Sequence, residues 1–192
     1  RQLCIRDRLY TGLVIFVAAM RLVELAISHR NIGRLEARGA VEVGRSLYPW
    51  MVAVHTIFLG ACVAEVWLLD RPFIPFLAMF CLVLLLAAAA LRLWVMATLG
   101  ERWSTRVLVL PQTPPITGGP FRRRRPPNYL AVAVEFVALP MVHTDWLTAG
   151  ILSIANAMVL QRRVRTEEWA LAETGENYSI LDSKPGIIPG AK

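Results

Sequence analysis

Cysteine is scarce in this chain, and its placement argues against both zinc and disulfide chemistry. The 192 residues include three cysteines, Cys4, Cys62 and Cys81, which show none of the close spacings of a metal site. Cys62 and Cys81 lie inside apolar runs, where a free thiol behaves as a small hydrophobic side chain. We therefore predict no disulfide and no bound metal.

Charged residues are also few. They make up 18% of the chain and hydrophobic residues 56%, whereas a typical soluble domain has about 25% charged and 45–50% apolar residues. The formal net charge is nevertheless +7, almost all of it from arginine. Aromatic residues do not alternate with the basic run as base stacking would require, so we predict no nucleic-acid partner. The apolar content favours membrane lipids with anionic head groups, or an acidic cofactor.

Long apolar runs fill the first half of the chain. A helix needs about 20 apolar residues to cross the hydrocarbon core of a bilayer. Three runs meet this length, Leu9–Ser28, Leu47–Leu69 and Phe73–Leu99. They are too long for strands and predict three membrane-spanning helices.

Two shorter apolar runs, Tyr129–Val142 and Trp146–Leu160, predict a helical hairpin in the second half. No proline interrupts the chain between Trp146 and Thr174, so the second arm continues as a helix about 43 Å long against a core of about 30 Å. We predict an all-α integral membrane protein with about five transmembrane helices. It forms a single domain over residues 1–192, with three spans in 9–99 and a loop, the hairpin and a C-terminal helix in 100–192.

The arginines are unevenly distributed between the two predicted sides of the membrane. With five spans, most arginines and both lysines fall on the side that holds the Ser28–Ser46 loop, the Gly100–Arg125 region and everything after Leu160. The positive-inside rule makes that side cytosolic. We therefore expect the N-terminus outside and the C-terminus inside.

The stretch PQTPPITGGPFRRRRPP, residues 111–127, is the one long irregular segment of the second half. Its prolines forbid regular helix, and Gly118-Gly119 permits a turn with positive φ. Pro127 is suited to the first turn of a helix. A loop of this length is usually functional or disordered.

Charged and polar residues within the predicted spans have alternative interpretations. Arg21 and Glu24, at i and i+3, favour a structural ion pair. His55 and Glu65 either face a cavity or form interhelical hydrogen bonds. Glu135 is either a partner for one of the nearby arginines or a pocket residue that contacts substrate.

The segment QRRVRTEEWALAETGENY, residues 161–178, places Arg163 and Glu167 at i and i+4 on one face of the projecting helix. Taken alone, this pattern favours a solvated amphipathic helix at the interface. The helix emerges, however, on the same side as FRRRRPPNYL. The two segments together predict a pocket for a charged cofactor above a lipid-accessible cavity.

The order of these motifs resembles the isoprenylcysteine carboxyl methyltransferase family, membrane enzymes that use S-adenosylmethionine. The matching segments are Gly119-Pro120-Phe121, Arg125-Pro126-Pro127-Asn128-Tyr129, Arg163-Val164-Arg165-Thr166-Glu167-Glu168, Gly175-Glu176-Asn177-Tyr178 and Ile188-Pro189. RLVELAISHRN and GAVEVG also resemble bacterial members that are associated with polyketide synthases. The resemblance implies the inner membrane of a bacterium. The arginine distribution places the predicted cofactor site on the cytosolic side.

The resemblance also implies roles for individual residues. Glu167 corresponds to a glutamate that contacts the cofactor, and Arg163 to an arginine that engages the acceptor; both are our candidates for catalysis. The loop and first helical turn that wrap S-adenosylmethionine, and its product S-adenosylhomocysteine, correspond to Thr113, Pro114, Pro115, Ile116, Phe121, Pro126, Pro127, Asn128 and Tyr129.

Two positions depart from the family pattern. Pro126 stands where the family has histidine, and Phe121 where it has tyrosine. The expected function is methyl transfer to a lipophilic acceptor, either a lipid hydroxyl of the alkyl phenol or alkylpyrone type or an isoprenylcysteine-type carboxylate. The alternative is a non-catalytic membrane scaffold or lipid-binding protein with a degraded cofactor motif.

Overall fold

Five α-helices account for most of the described chain. The structure, a computed structural model, describes residues 5–69, 71–110, 113, 116, 118–122 and 127–174, with side chains up to 167. The helices are α1 (Ile5–Ala37), α2 (Leu47–Leu68), α3 (Pro75–Leu99), α4 (Pro127–Met141) and α5 (Trp146–Thr174). Short 3-10 turns at Gly100–Arg102 and Gly119–Arg122 follow α3 and precede α4.

Three helices in the described part of the chain are long and apolar enough to cross a membrane: Ile5–Ala37, Leu47–Leu68 and Pro75–Arg102. They correspond to the three spans predicted from the apolar runs, and the predicted helical membrane protein is confirmed at this level. The hairpin is present as α4 and α5, and α4 begins at Pro127 as expected. Whether the hairpin crosses the bilayer, and so the count of five spans, stays a prediction.

α1 continues well beyond its apolar run. We predicted a loop from Ser28, but the helix ends at Ala37. Its extension is held by Ser28, which bonds Thr105, and by Asn31, whose amide donates to the carbonyls of Gly100 and Trp103. Polar contacts to the chain after α3 thus add to the burial of Ile32 and Leu35 on the same face of the helix.

A two-stranded antiparallel sheet, which the sequence did not predict, joins the segments after α1 and α3. Strand β1 (Val41–Val43) pairs with β2 (Val107–Val109), with Glu42 opposite Leu108. Both strands also contact α5. The sheet therefore ties the ends of three helices together, at what we call the sheet end of the bundle.

The apolar core lies between α2, α3, α4 and the start of α1. The rings of Phe58 and Phe136 stack with centroids 4.0 Å apart, and Cys62 and Leu139 are fully buried beside them. Apolar side chains on the outer faces of the three long helices remain exposed, as a bilayer requires; Phe76 and Leu86 are examples. The cysteines at 62 and 81 are free and buried.

A four-residue charge network crosses the bundle inside the apolar region. Arg21 and Glu24 of α1 pair with each other, which confirms the predicted ion pair. Arg92 of α3 reaches Glu24 at 3.2 Å and Glu135 of α4 at 2.9 Å, and Arg21 also pairs with Glu135. Two positive and two negative charges, all largely buried, thereby compensate one another across three helices.

The opposite end of the bundle, which we call the turn end, is organised by the α4–α5 connection. The imidazole of His143 lies 3.1 Å from the carboxylate of Asp7. Glu65 of α2 accepts the backbone N–H of Thr148 at 2.8 Å and pairs with Arg71 at 2.7 Å, so it satisfies donors at the N-terminus of α5. Of the two interpretations of Glu65, interhelical hydrogen bonding is the one observed.

Asp145, in this turn, should make stability depend on pH. The residue is fully buried, and its burial, assisted by the nearby Glu65 charge and opposed by Tyr10 and Arg71, raises the pKa of its carboxyl group from 3.8 to about 7. Because the pKa is higher in the folded state, this carboxyl group contributes most to the stability of the folded protein below about pH 4. The contribution is lost as the pH rises to about 7. Asp145→Asn should remove this slope. Thermal melting in detergent across that pH range tests it, and an unchanged slope in the variant would contradict it.

Candidate active site at the sheet end

The candidate active site forms where α5 passes α2, the start of α4 and the sheet. Gly44, directly after β1, adopts φ +68, and an added Cβ there would lie 2.7 Å from the methyl group of Thr166 on α5. Because glycine has no Cβ, the chain can approach α5 one turn from Arg163 and next to Glu167. The segment GAVEVG therefore fixes the position of the helix that bears both residues.

Tyr129 connects Arg163 to Glu167 through its hydroxyl group. Nε of Arg163 donates to this oxygen at 2.9 Å, and the hydroxyl donates in turn to the Glu167 carboxylate. The three residues come from α4 and α5, and Tyr129 is 34 residues before Arg163. The structure thus brings together three residues to which the family resemblance assigned the cofactor and the acceptor.

Arg163 is further held by α2. Its Nη1 donates to the sulfur of Met51, and its guanidinium carbon lies 5.6 Å from the centre of the Tyr129 ring. These contacts fix the direction of the guanidinium group, whose planar fork carries five N–H donors. The arrangement suits a group that orients an anionic oxygen.

Asn128, in the first turn of α4, has a polar side-chain atom that no described residue satisfies. Its side-chain carbonyl oxygen is buried and has no hydrogen-bond partner among the described residues. Buried polar atoms are nearly always satisfied, so such an oxygen fits a donor on a bound molecule. The adjacent Pro127 and Tyr129 are buried in the first turn of α4.

The remaining predicted cofactor residues are only partly placed. Phe121 is half-buried in the 3-10 turn at Gly119–Arg122, and Thr113 and Ile116 are half-buried single residues of the preceding loop. Pro114, Pro115 and Pro126 lie outside the described residues. Their assignment to the cofactor stays a prediction.

Glu135 and His55 lie apart from the hydrogen-bonded group of Arg163, Tyr129 and Glu167. Glu135 is part of the charge network, where its arginine partners are Arg21 of α1 and Arg92 of α3; a role in substrate binding stays a prediction. His55 bonds the carbonyl of Met51 through Nδ1 and packs edge-on against Phe136. Its hydrogen bond is thus within α2 rather than between helices.

A pocket opens between the sheet, α2 and α5. Its wall contains Glu42, Tyr48, Arg106 and Arg163 together with apolar side chains such as Met51 and Val159. The sequence did not point to the first three of these residues. The only signal was the pair of short valine-rich segments, VEV and VLV, which is too weak to predict that two strands separated by α2 and α3 pair with each other.

The fold and site define a helical membrane protein with a polar, arginine-bearing site at one end of its bundle. The sequence matches the model of the isoprenylcysteine carboxyl methyltransferase (ICMT) family over residues 80–173. It is similar to Uncharacterized protein YpbQ of Bacillus subtilis (strain 168), with 31% identity over 88% of this chain and 97% of that protein. An Uncharacterized protein of Haemophilus influenzae is 26% identical over 81% of this chain and 91% of its own length.

This chain belongs to the isoprenylcysteine carboxyl methyltransferase family. The matched range contains Tyr129, Arg163 and Glu167, and also Arg106. Strand β1 and Gly44 lie before it. The family model therefore covers the parts of the site on β2, α4 and α5, and the wall formed by β1 and α2 lies outside the match.

Proposed function

We propose that this protein is a membrane O-methyltransferase that uses S-adenosylmethionine and acts on a lipophilic acceptor at the cytosolic surface. The observation that carries the proposal is the hydrogen-bonded chain from Arg163 through Tyr129 to Glu167. It sets a cation and an anion on either side of one buried hydroxyl group. A charged cofactor and an acidic acceptor need such opposite charges close together.

The residues present fit the cofactor. The Glu167 carboxylate is suited to its ammonium or ribose hydroxyl groups, and the unpaired oxygen of Asn128 is suited to a further donor. When bound, S-adenosylmethionine supplies a methyl group activated by a sulfonium centre. Positioning and exclusion of water are then the main tasks left to the protein.

Arg163 is the residue that we assign to the acceptor. Its guanidinium group holds an acidic oxygen by a charge-assisted hydrogen bond, and a carboxylate in that position needs no base. A phenol or enol has to lose its proton before or during transfer. We favour the lipid hydroxyl as acceptor because residues 21–55 resemble those of the polyketide-associated members, with the prenylcysteine carboxylate as the second candidate.

Methyl transfer from labelled S-adenosylmethionine tests the proposal directly. Purified protein receives farnesylcysteine in one reaction and an alkylresorcinol or alkylpyrone in another. Base-stable label in the second product indicates a methyl ether and supports the lipid hydroxyl, whereas base-labile label in the first alone indicates a methyl ester. Calorimetry with S-adenosylhomocysteine separates the enzyme from a non-catalytic scaffold, because a scaffold with a degraded motif would not bind it.

A further inference from the structure

The pocket at the sheet end contains a second arginine whose binding capacity is only partly used. Nη1 of Arg106 contacts the Glu42 carboxylate at 3.1 Å, and the guanidinium carbon lies 4.8 Å from the centre of the Tyr48 ring. Its Nε is buried and has no hydrogen-bond partner among the described residues. A buried N–H of a charged group without an acceptor is costly, and a ligand oxygen would remove that cost.

The charges that line the pocket leave a net positive charge. Arg106 and Arg163 both contribute to its wall, and Glu42 is the one acidic residue there. Arg45, which approaches Glu42 at 3.9 Å, adds a further positive charge at the rim. One negatively charged oxygen would therefore balance the three charges of the wall, and the positive charge of Arg45 at the rim would attract it further.

The size and apolar part of the wall limit what such a molecule can be. The pocket is small and open on one side, so only the acidic end of such a molecule can enter it and a long chain has to lie outside. Apolar surface for that chain is close by, since Trp50 and Met158, next to pocket residues Met51 and Val159, are 67% and 58% exposed.

We propose that this pocket binds the acidic head of the methyl acceptor between Arg106 and Arg163, while its chain lies along the apolar outer faces of α2 and α5. The assignment rests on the proposed function and adds Arg106 as a second acceptor-binding residue. Glu42 and Tyr48 are positioning residues, since they hold the Arg106 guanidinium group. The ligand is an amphiphile with one acidic oxygen, a phenol or enol in one case and a carboxylate in the other.

Binding to the protein saturated with S-adenosylhomocysteine provides the test, with an alkylresorcinol and farnesylcysteine as probes. We expect at least one probe to bind the wild type, and Arg106→Gln to weaken that probe about tenfold or more. Affinity for S-adenosylhomocysteine should stay unchanged. Arg38→Gln is the matched control, since it removes an exposed arginine of the same end that pairs with Glu101 and does not line the pocket.

Which probe binds identifies the source of the acidic oxygen. The double variant Glu42→Gln/Arg106→Gln keeps the local charge unchanged, so it should fold even if Arg106→Gln does not, and it should lose the probe equally. Unchanged probe affinity in folded Arg106 variants, or no binding of either probe to the saturated wild type, overturns the pocket assignment. A wild type that does not bind S-adenosylhomocysteine overturns the proposed function instead.

Discussion

Replacing Glu135 by glutamine is expected to destabilise the folded protein by about 3–5 kcal/mol, the usual cost of removing one partner from a buried ion pair. Glu135 accepts from Arg92 at 2.9 Å and also pairs with Arg21. Its loss leaves two buried arginines with Glu24 as their remaining counter-charge. The apolar surroundings make this excess charge more costly than it would be at a water-exposed surface.

The melting temperature of detergent-solubilised protein measures this effect. Glu36→Gln is the matched control, because Glu36 is an exposed acidic residue on the same α1 helix as Glu24. The double variant Arg92→Gln/Glu135→Gln restores neutrality and should be less destabilised than the two single losses added together. If the Glu135→Gln protein has the same melting temperature as the wild type, the network contributes nothing to stability.

Replacing Glu167 by alanine is expected to weaken binding of S-adenosylhomocysteine about ten- to a hundred-fold. The loss corresponds to one charge-assisted hydrogen bond of about 1.5–3 kcal/mol. Arg163→Ala should leave this affinity largely intact and lower turnover, because we assign Arg163 to the acceptor. Calorimetry gives the first quantity and the labelled-methyl assay the second.

Tyr129 makes the comparison sharper. Because its hydroxyl bonds both Arg163 and Glu167, Tyr129→Phe frees both charged groups without removing either. Arg165→Gln on the exposed surface of the same helix controls for a general change of charge. Unchanged affinity in a folded Glu167→Ala protein would contradict the cofactor assignment, whatever the effect on turnover.

The helices could be predicted from the sequence because burial in lipid demands long apolar runs. The same criterion failed at the end of α1, where Ser28, Asn31, Ile32 and Leu35 are buried. Their spacing of three and four residues is that of one helical face. Two of the four residues, Ser28 and Asn31, are polar. A search for apolar runs therefore predicted that the helix ends at Ser28.

Non-local pairings were beyond prediction from the sequence. Arg92 lies within the third apolar run, and nothing in its local sequence points to Glu24 or Glu135 as its partners. The strands β1 and β2 are three residues each, and a long stretch of chain that includes α2 and α3 separates them in the sequence. The meeting of Tyr129, Arg163 and Glu167 was expected from family resemblance, since spacing places only Arg163 and Glu167 on one face.

The pairing of β1 with β2 gives the acceptor pocket an order of assembly during translation. Arg106 follows Glu42 by 64 residues, so β1 leaves the ribosome well before the strand that completes the wall, and α2 and α3 must be placed in between. The helix that carries Arg163 is made after both strands and has to pack against Gly44. A nascent chain that stops before α5 therefore already contains both strands and the pair of Arg106 and Glu42. It does not yet contain Arg163 or Glu167.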